Sequence, residues 1–171
     1  KRGIEWCNIS YEFYKLLSQN KSTGLSMQQL IKVLRKDVEE EQSVWIDFMP
    51  ENSFRIMDEN GLSEKYAKGY SINVPLIETQ IFLPYLQNHL IAKDVKFIQK
   101  EIHDLNELKN NDDVVINCSA LGARKLCNDD LVIPVRGQVA LLSPKENLSV
   151  FLDNEKPLYI VPRKDTIIVG G

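Results

Sequence analysis

Few residues in this chain have the type and spacing to do chemistry. Asp112-Asp113 and Asp129-Asp130 are paired carboxylates of the kind that can share acid/base work. Both pairs flank predicted strands in turn-like contexts, so they read as solvated loop carboxylates. His89 and His103 stand at no meaningful spacing from a nucleophile or a carboxylate. A surface role is expected for both. Cys7, Cys118 and Cys127 form no CxxC pair, and zinc needs clustered thiolate and imidazole ligands. Three reduced, mostly buried thiols in a reducing compartment are expected. None of the eight glycines sits in a GxGxxG or phosphate-cradling loop, and no GxSxG, HExxH or kinase-like set occurs. Spacing alone names no catalytic constellation.

Three features remain open on the residues themselves. Residues 115–126, "VINCSALGARKL", pass from a β-branched run through small residues into a basic segment. That is either a turn closing a buried strand or a place where backbone approaches a ligand. Arg136-Gly137-Gln138 puts a glycine inside a strand, which marks a bulge or a close backbone approach. Tyr159 faces one side of a strand-rich region, as a core tyrosine with a satisfied hydroxyl or as a functional phenol.

The elements that position these residues follow from periodicity. Residues 5–19 carry Trp6, Ile9, Phe13, Leu16 and Leu17 at helical spacing, an amphipathic helix ending near Asn20. "GLSMQQLIKVLRKD" suits either a strand or a helix, and the preceding Thr-Gly suggests a turn followed by a strand. In residues 45–57 a short helical turn and a strand at "FRIM" are expected, and "GYSINVPLI" alternates as a strand. Residues 78–91 form the clearest helix, with Thr79 as its cap and Pro84 about a turn inside. "VKFIQKEI", "DDVVINC", "IPVRGQVALL", "LSVFL", "LYIVP" and "TIIVG" read as strands, the last four as an antiparallel meander. "DDVVINC" is apolar almost throughout, as in a strand covered on both faces. Two kinds of sheet in one chain suggest two lobes, with crossings near residues 93 and 128.

The whole chain sets outer bounds. Its 171 residues suffice for one sizeable core or two small lobes. The net charge is −3 with scattered basic residues, which argues against a nucleic-acid surface. No stretch approaches the roughly 20 apolar residues of a membrane span. The opening "KRGIEW" has neither an initiator methionine nor an apolar signal core, so the chain reads as an excised or processed piece.

Taken in order, "DDVVINCSALGARKL", "IPVRGQVALL" and "LYIVPRKDTIIVGG" resemble the D-amino-acid oxidase family of FAD-dependent oxidoreductases. Upstream, "EWCNISYEFYKLL", "VWIDF", "FRIM" and "GYSINVPLIETQIFLPYLQNHL" also follow the family's order, so the resemblance covers roughly residues 5–171. It implies an α/β fold with α+β character, a fragment of a two-domain flavoenzyme. Residues 1–92 would hold the helix and the first part of a substrate-covering domain. Residues 93–127 would be part of a Rossmann-like FAD domain, and 128–171 antiparallel strands of the substrate domain. The implied reaction passes a hydride from the Cα of a D-amino acid to FAD. The imino acid then hydrolyses to a keto acid and ammonia, and oxygen gives hydrogen peroxide. By the same resemblance, backbone near Glu101 and Ile102 contacts the adenine end of FAD. Ser119, Ala120 and Gly122 line the flavin, and the Tyr159 hydroxyl binds the substrate carboxylate.

Two departures stand out. The family usually has glycine where this chain has Ala120, which matters if that position needs a positive φ. A lid tyrosine would fall about four residues before Tyr159, where this chain has Glu155. The family's GxGxxG segment would precede residue 1, and its carboxylate-binding arginine would follow residue 171. This piece alone is therefore expected neither to hold FAD tightly nor to turn over. Strands left open near "IIVGG" are expected to meet the rest of a parent chain, a companion chain or a second copy. A glycine or sarcosine-type oxidase and a non-catalytic assembly module are the alternatives. The expected setting is cytoplasmic or peroxisomal.

Overall fold

The computed structural model describes residues 2–36, 49, 52–58, 62–108, 114–153 and 155–171. In chain order the elements are helix α1 (Arg2–Leu17), strands β1 (Leu25–Arg35), β2 (Phe54–Ile56) and β3 (Tyr66–Ile77), and helix α2 (Thr79–Ile91). The short helix α3 (Ala123–Leu126) precedes strands β4 (Val139–Leu142), β5 (Val150–Asp153), β6 (Leu158–Pro162) and β7 (Ile167–Gly170). The class is α/β, built on one mixed sheet of order β2-β3-β1-β5-β6-β7-β4. These elements fall into two compact units, Lys1–Lys93 with Gln138–Gly171, and Asp94–Gly137.

In the larger unit, β1 settles the ambiguity of "GLSMQQLIKVLRKD" in favour of strand. Asn20 caps a 3₁₀ turn at Lys21–Thr23, and Gly24 ends it at φ +74°, turning the chain out of helix. From there β1 pairs antiparallel with β3, from Leu25↔Ile77 to Arg35↔Tyr66. Its other edge pairs parallel with β5, from Leu30↔Val150 to Val33↔Asp153. Leu25, Val33 and Ile167 are buried on one face of the sheet, and Tyr70, Ile72 and Val150 on the other.

The expected four-strand meander is corrected. Strands β5, β6 and β7 run antiparallel in succession, but β4 pairs with β7 rather than β5. The edge of β5 that a β4–β5 hairpin would use is already taken by β1. Strand β7 therefore has a neighbour on each side, and among the described residues the sheet ends in the open strands β2 and β4. "IPVRGQVALL" is strand only over Val139–Leu142, so Gly137 lies outside any strand.

Helix α2 starts where expected, but its cap is Glu78, not Thr79. The Glu78 carbonyl accepts the Ile81 and Phe82 amides, so Thr79 already lies within the helix. Phe82 is buried and meets Tyr14 of α1 edge-on, with ring centroids 6.2 Å apart. Tyr11 fastens α1 to the sheet by donating to the Asn73 carbonyl at 3.0 Å. The stripe of Trp6, Ile9, Phe13 and Leu16 remains exposed. The helical turn expected ahead of "FRIM" falls largely outside the described residues, and the strand there is β2.

The smaller unit departs furthest from expectation. "VKFIQKEI" and the described part of "DDVVINC" are irregular chain, not strands. Asp112 and Asp113 lie outside the described residues. A strand is held by ladder hydrogen bonds to a neighbour, and none runs beside these segments among the described residues. Their apolar side chains are correspondingly bare, with Ile98 81%, Val114 87% and Ile116 79% exposed. The three cysteines are free and exposed, which corrects the expectation of buried thiols. Among the described residues no helix is long and apolar enough to cross a membrane.

Candidate functional site

The small-residue turn after Ile116 is organised by its first polar residue. Asn117 Oδ1 accepts from the Ser119 amide at 3.1 Å and from the Ser119 hydroxyl at 2.7 Å. Its amide nitrogen donates to Cys127 Sγ at 3.2 Å, tying the start of the turn to its end. This is an Asx turn, in which a short side chain satisfies the backbone two residues on. Ala120 then takes φ +49° and opens a 3₁₀ turn, Ala120–Gly122, with the Gly122 amide bonded to the Ser119 carbonyl at 2.9 Å. Gly122 itself has an ordinary φ of −62°. A Cβ on it would stand 3.3 Å from the Ser119 Cβ, so glycine here serves close packing.

Arg124 fixes the far side. Its guanidinium donates to the carbonyls of Asp130 and Val132, each at 3.0 Å, and to the Asp130 carboxylate at 2.7 Å. Asp129 accepts the Leu131 amide at 2.9 Å. Asp129 and Asp130 thus bond within this loop, and the Asp130 carboxylate, 90% exposed, is a solvated loop carboxylate as expected. Ser119, Ala120 and Gly122 are brought together on one exposed, braced turn.

Glu101 and Ile102 lie in the irregular segment before the 3₁₀ turn Leu105–Leu108. The Glu101 carboxylate is 3.9 Å from His103 Nε2, and both groups are exposed. Among the described residues the backbone amides of Glu101 and Ile102 have no hydrogen-bond partner.

Tyr159 belongs to the larger unit. It is half-buried on β6, opposite Leu152 of β5 and Gly170 of β7. Its ring leans over the β7 backbone, where a Cβ on Gly170 would overlap the ring and its oxygen. The cross-strand row through Tyr159 continues through Leu152 and Lys32 to Tyr70. Lys32 is buried, and that burial holds its ammonium below the usual lysine pKa.

Sequence reasoning did not single out Gly170 or Asn117. Each left a signal: a glycine in the ladder position of an apolar strand, and an Asn two residues before a Ser. Glu155, where a lid tyrosine was expected, accepts the Arg35 amide through both oxygens, at 3.0 and 2.9 Å. It fastens the β5–β6 turn to the end of β1.

No family model matches the chain. Three curated proteins align along essentially all of it. A D-amino-acid oxidase of Rubrobacter xylanophilus is 29% identical over 174 residues, covering 100% of this chain and 52% of that protein. A D-amino-acid oxidase of Dictyostelium discoideum is 26% identical, covering 98% and 48%. A D-aspartate oxidase of Homo sapiens is 30% identical over 172 residues, covering 98% and 50%. The chain thus spans about half the length of the curated relatives it matches. With that end-to-end likeness, this chain belongs to the D-amino-acid oxidase family.

Proposed function

We propose that this chain is the substrate-covering part, with a portion of the FAD-binding domain, of an FAD-dependent oxidase of D-amino acids. The observation that carries the reading is the likeness, over 98% or more of the chain, to proteins named for that activity. When bound, FAD supplies the two-electron acceptor that no side chain can provide. The residues present fit such a ring. The Ser119–Gly122 turn is exposed and small, and the Glu101 and Ile102 amides are open to a ligand among the described residues.

The larger unit has a separate task in this reading. The Tyr159 phenol donates a hydrogen bond to the substrate carboxylate without itself carrying charge. Its ring is held between Leu152 and the bare backbone of Gly170, which fixes the donor's direction before substrate arrives. The exposed stripe of α1 and the bare apolar side chains of residues 95–98 and 114–116 are surfaces for further polypeptide, from the same chain or a companion. Free, exposed thiols suit a reducing compartment.

The test is made on the intact protein, purified without added flavin. Stoichiometric bound FAD, with peroxide released from D- but not L-amino acids, is the expected result; the panel should include D-aspartate. Bound flavin with turnover of glycine or sarcosine alone would move the assignment to that branch. Absence of both flavin and turnover would leave an assembly module.

A further inference from the structure

On the sheet face opposite Tyr159, the larger unit has a cavity of about 290 Å³ with no place in the proposed oxidase chemistry. Among the described residues it is lined by Gln29, Asn52, Ser53, Phe54, Arg55, Ser71 and Asn73, and no carboxylate is among them. Its polar groups are already aimed. Ser149 donates to Gln29 Oε1 at 3.2 Å, and Gln29 in turn donates to Ser71 Oγ at 2.8 Å. Ser71 is buried, lines the cavity and accepts from Gln29, and among the described residues its hydroxyl hydrogen has no acceptor, so it can serve as a donor there.

Arg55 is the direct cross-strand partner of Ser71, is exposed, and lines the same cavity, so its guanidinium is within reach of that hydroxyl's side of the recess. It has no carboxylate partner among the described residues. Asn73 stands across from Gln29. Its backbone is fixed by the Ser53 carbonyl at 2.7 Å and the Tyr11 hydroxyl at 3.0 Å, while its side-chain amide stays exposed. A guanidinium, a hydroxyl hydrogen and a carboxamide around one recess form a donor set suited to an oxyanion. We propose that this cavity is an oxyanion site, taking a phosphate group or a small carboxylate between the Arg55 guanidinium and the Ser71 hydroxyl.

The intact protein is titrated calorimetrically with inorganic phosphate and, separately, with acetate, at constant ionic strength. The same titrations are run on Arg55→Gln and Ser71→Ala. Saturable binding of at least one anion is expected, weakened roughly tenfold or more by either substitution, as for loss of a hydrogen bond to a charged group. Phosphate alone or acetate alone identifies the source and supports the site. No saturable binding of either anion, or binding that Arg55→Gln leaves unchanged, overturns it. Arg55 is exposed, so its variant keeps the fold and decides the matter even if Ser71→Ala does not fold.

Discussion

Tyr159 and Gly170 are direct cross-strand partners, and the ring of the tyrosine fills the space that a side chain on the glycine would need. The direction of the phenol is therefore set by a residue that contributes no functional group. On the proposed role of Tyr159, Gly170→Ala is expected to push the ring off β7 and raise KM for an amino-acid substrate of the intact protein. Tyr159→Phe removes the proposed carboxylate donor itself. A hydrogen bond to a charged group contributes about 1.5–3 kcal/mol, so kcat/KM should fall roughly 10- to 100-fold. The double variant should be no worse than Tyr159→Phe alone. Steady-state kinetics on the intact protein measure all three, and an unchanged kcat/KM in Tyr159→Phe would free the phenol of its role.

Ala120 adopts the left-handed backbone conformation that the sequence comparison with the family left as a question. For a residue with a Cβ that conformation costs roughly 1–2 kcal/mol. Ala120→Gly removes that strain but makes the unfolded chain more flexible, which takes back about 0.4–1 kcal/mol. The net expectation is equal or higher stability, by up to about 1.6 kcal/mol. Ala120→Val, which puts a β-branched side chain at positive φ, should be clearly destabilising. Urea midpoints of the three forms give the order; a drop in Ala120→Gly would mean that the methyl group packs usefully.

Gly24 meets both demands that favour glycine. Its φ is +74°, and a Cβ there would stand 2.6 Å from the Ile81 Cβ and 3.2 Å from the Glu78 carbonyl oxygen. Gly24→Ala should therefore cost more than about 1 kcal/mol, since strain and overlap add. Differential scanning of the melting temperature checks it. A loss no greater than an exposed surface alanine produces would show that α2 can shift to make room.

Local pattern carried the larger unit further than the smaller one. Helix α1, strand β3 and helix α2 are legible because each has its own period, and α2 is wrong only in its cap. The position of β4 is not legible, because it depends on β1 having already claimed the edge of β5. "VKFIQKEI" and "DDVVINC" have strand composition, but composition supplies no neighbour to pair with. At the candidate site, the small residues of "NCSALG" were visible in sequence, whereas the positive φ of Ala120 required the fold. The contact of Tyr159 with Gly170 is likewise a matter of register between two strands.

Glu78 gives a pH signature that belongs to the larger unit alone. Its carboxylate is buried and accepts Arg163 Nε at 3.1 Å, the Lys164 amide at 2.9 Å and the Gln80 amide at 2.7 Å. Burial by itself raises the Glu78 pKa, but those three donors outweigh it and leave the carboxyl below its ordinary value. The unfolded chain then takes up the proton more readily than the native one. The stabilisation is complete above the unfolded value of about 4.3 and is lost as pH falls through it towards the lower native value. Glu78→Gln should flatten that decline. At neutral pH it should cost towards the lower end of about 3–5 kcal/mol, because Arg163 loses its buried counter-charge. Exposed Asp165, 3.5 Å from the same guanidinium nitrogen, moderates the loss. Urea midpoints measured from neutral to acid pH for the two forms provide the check. Two parallel curves would show that Glu78 is not the group whose protonation loosens the junction between α2 and the β6–β7 turn.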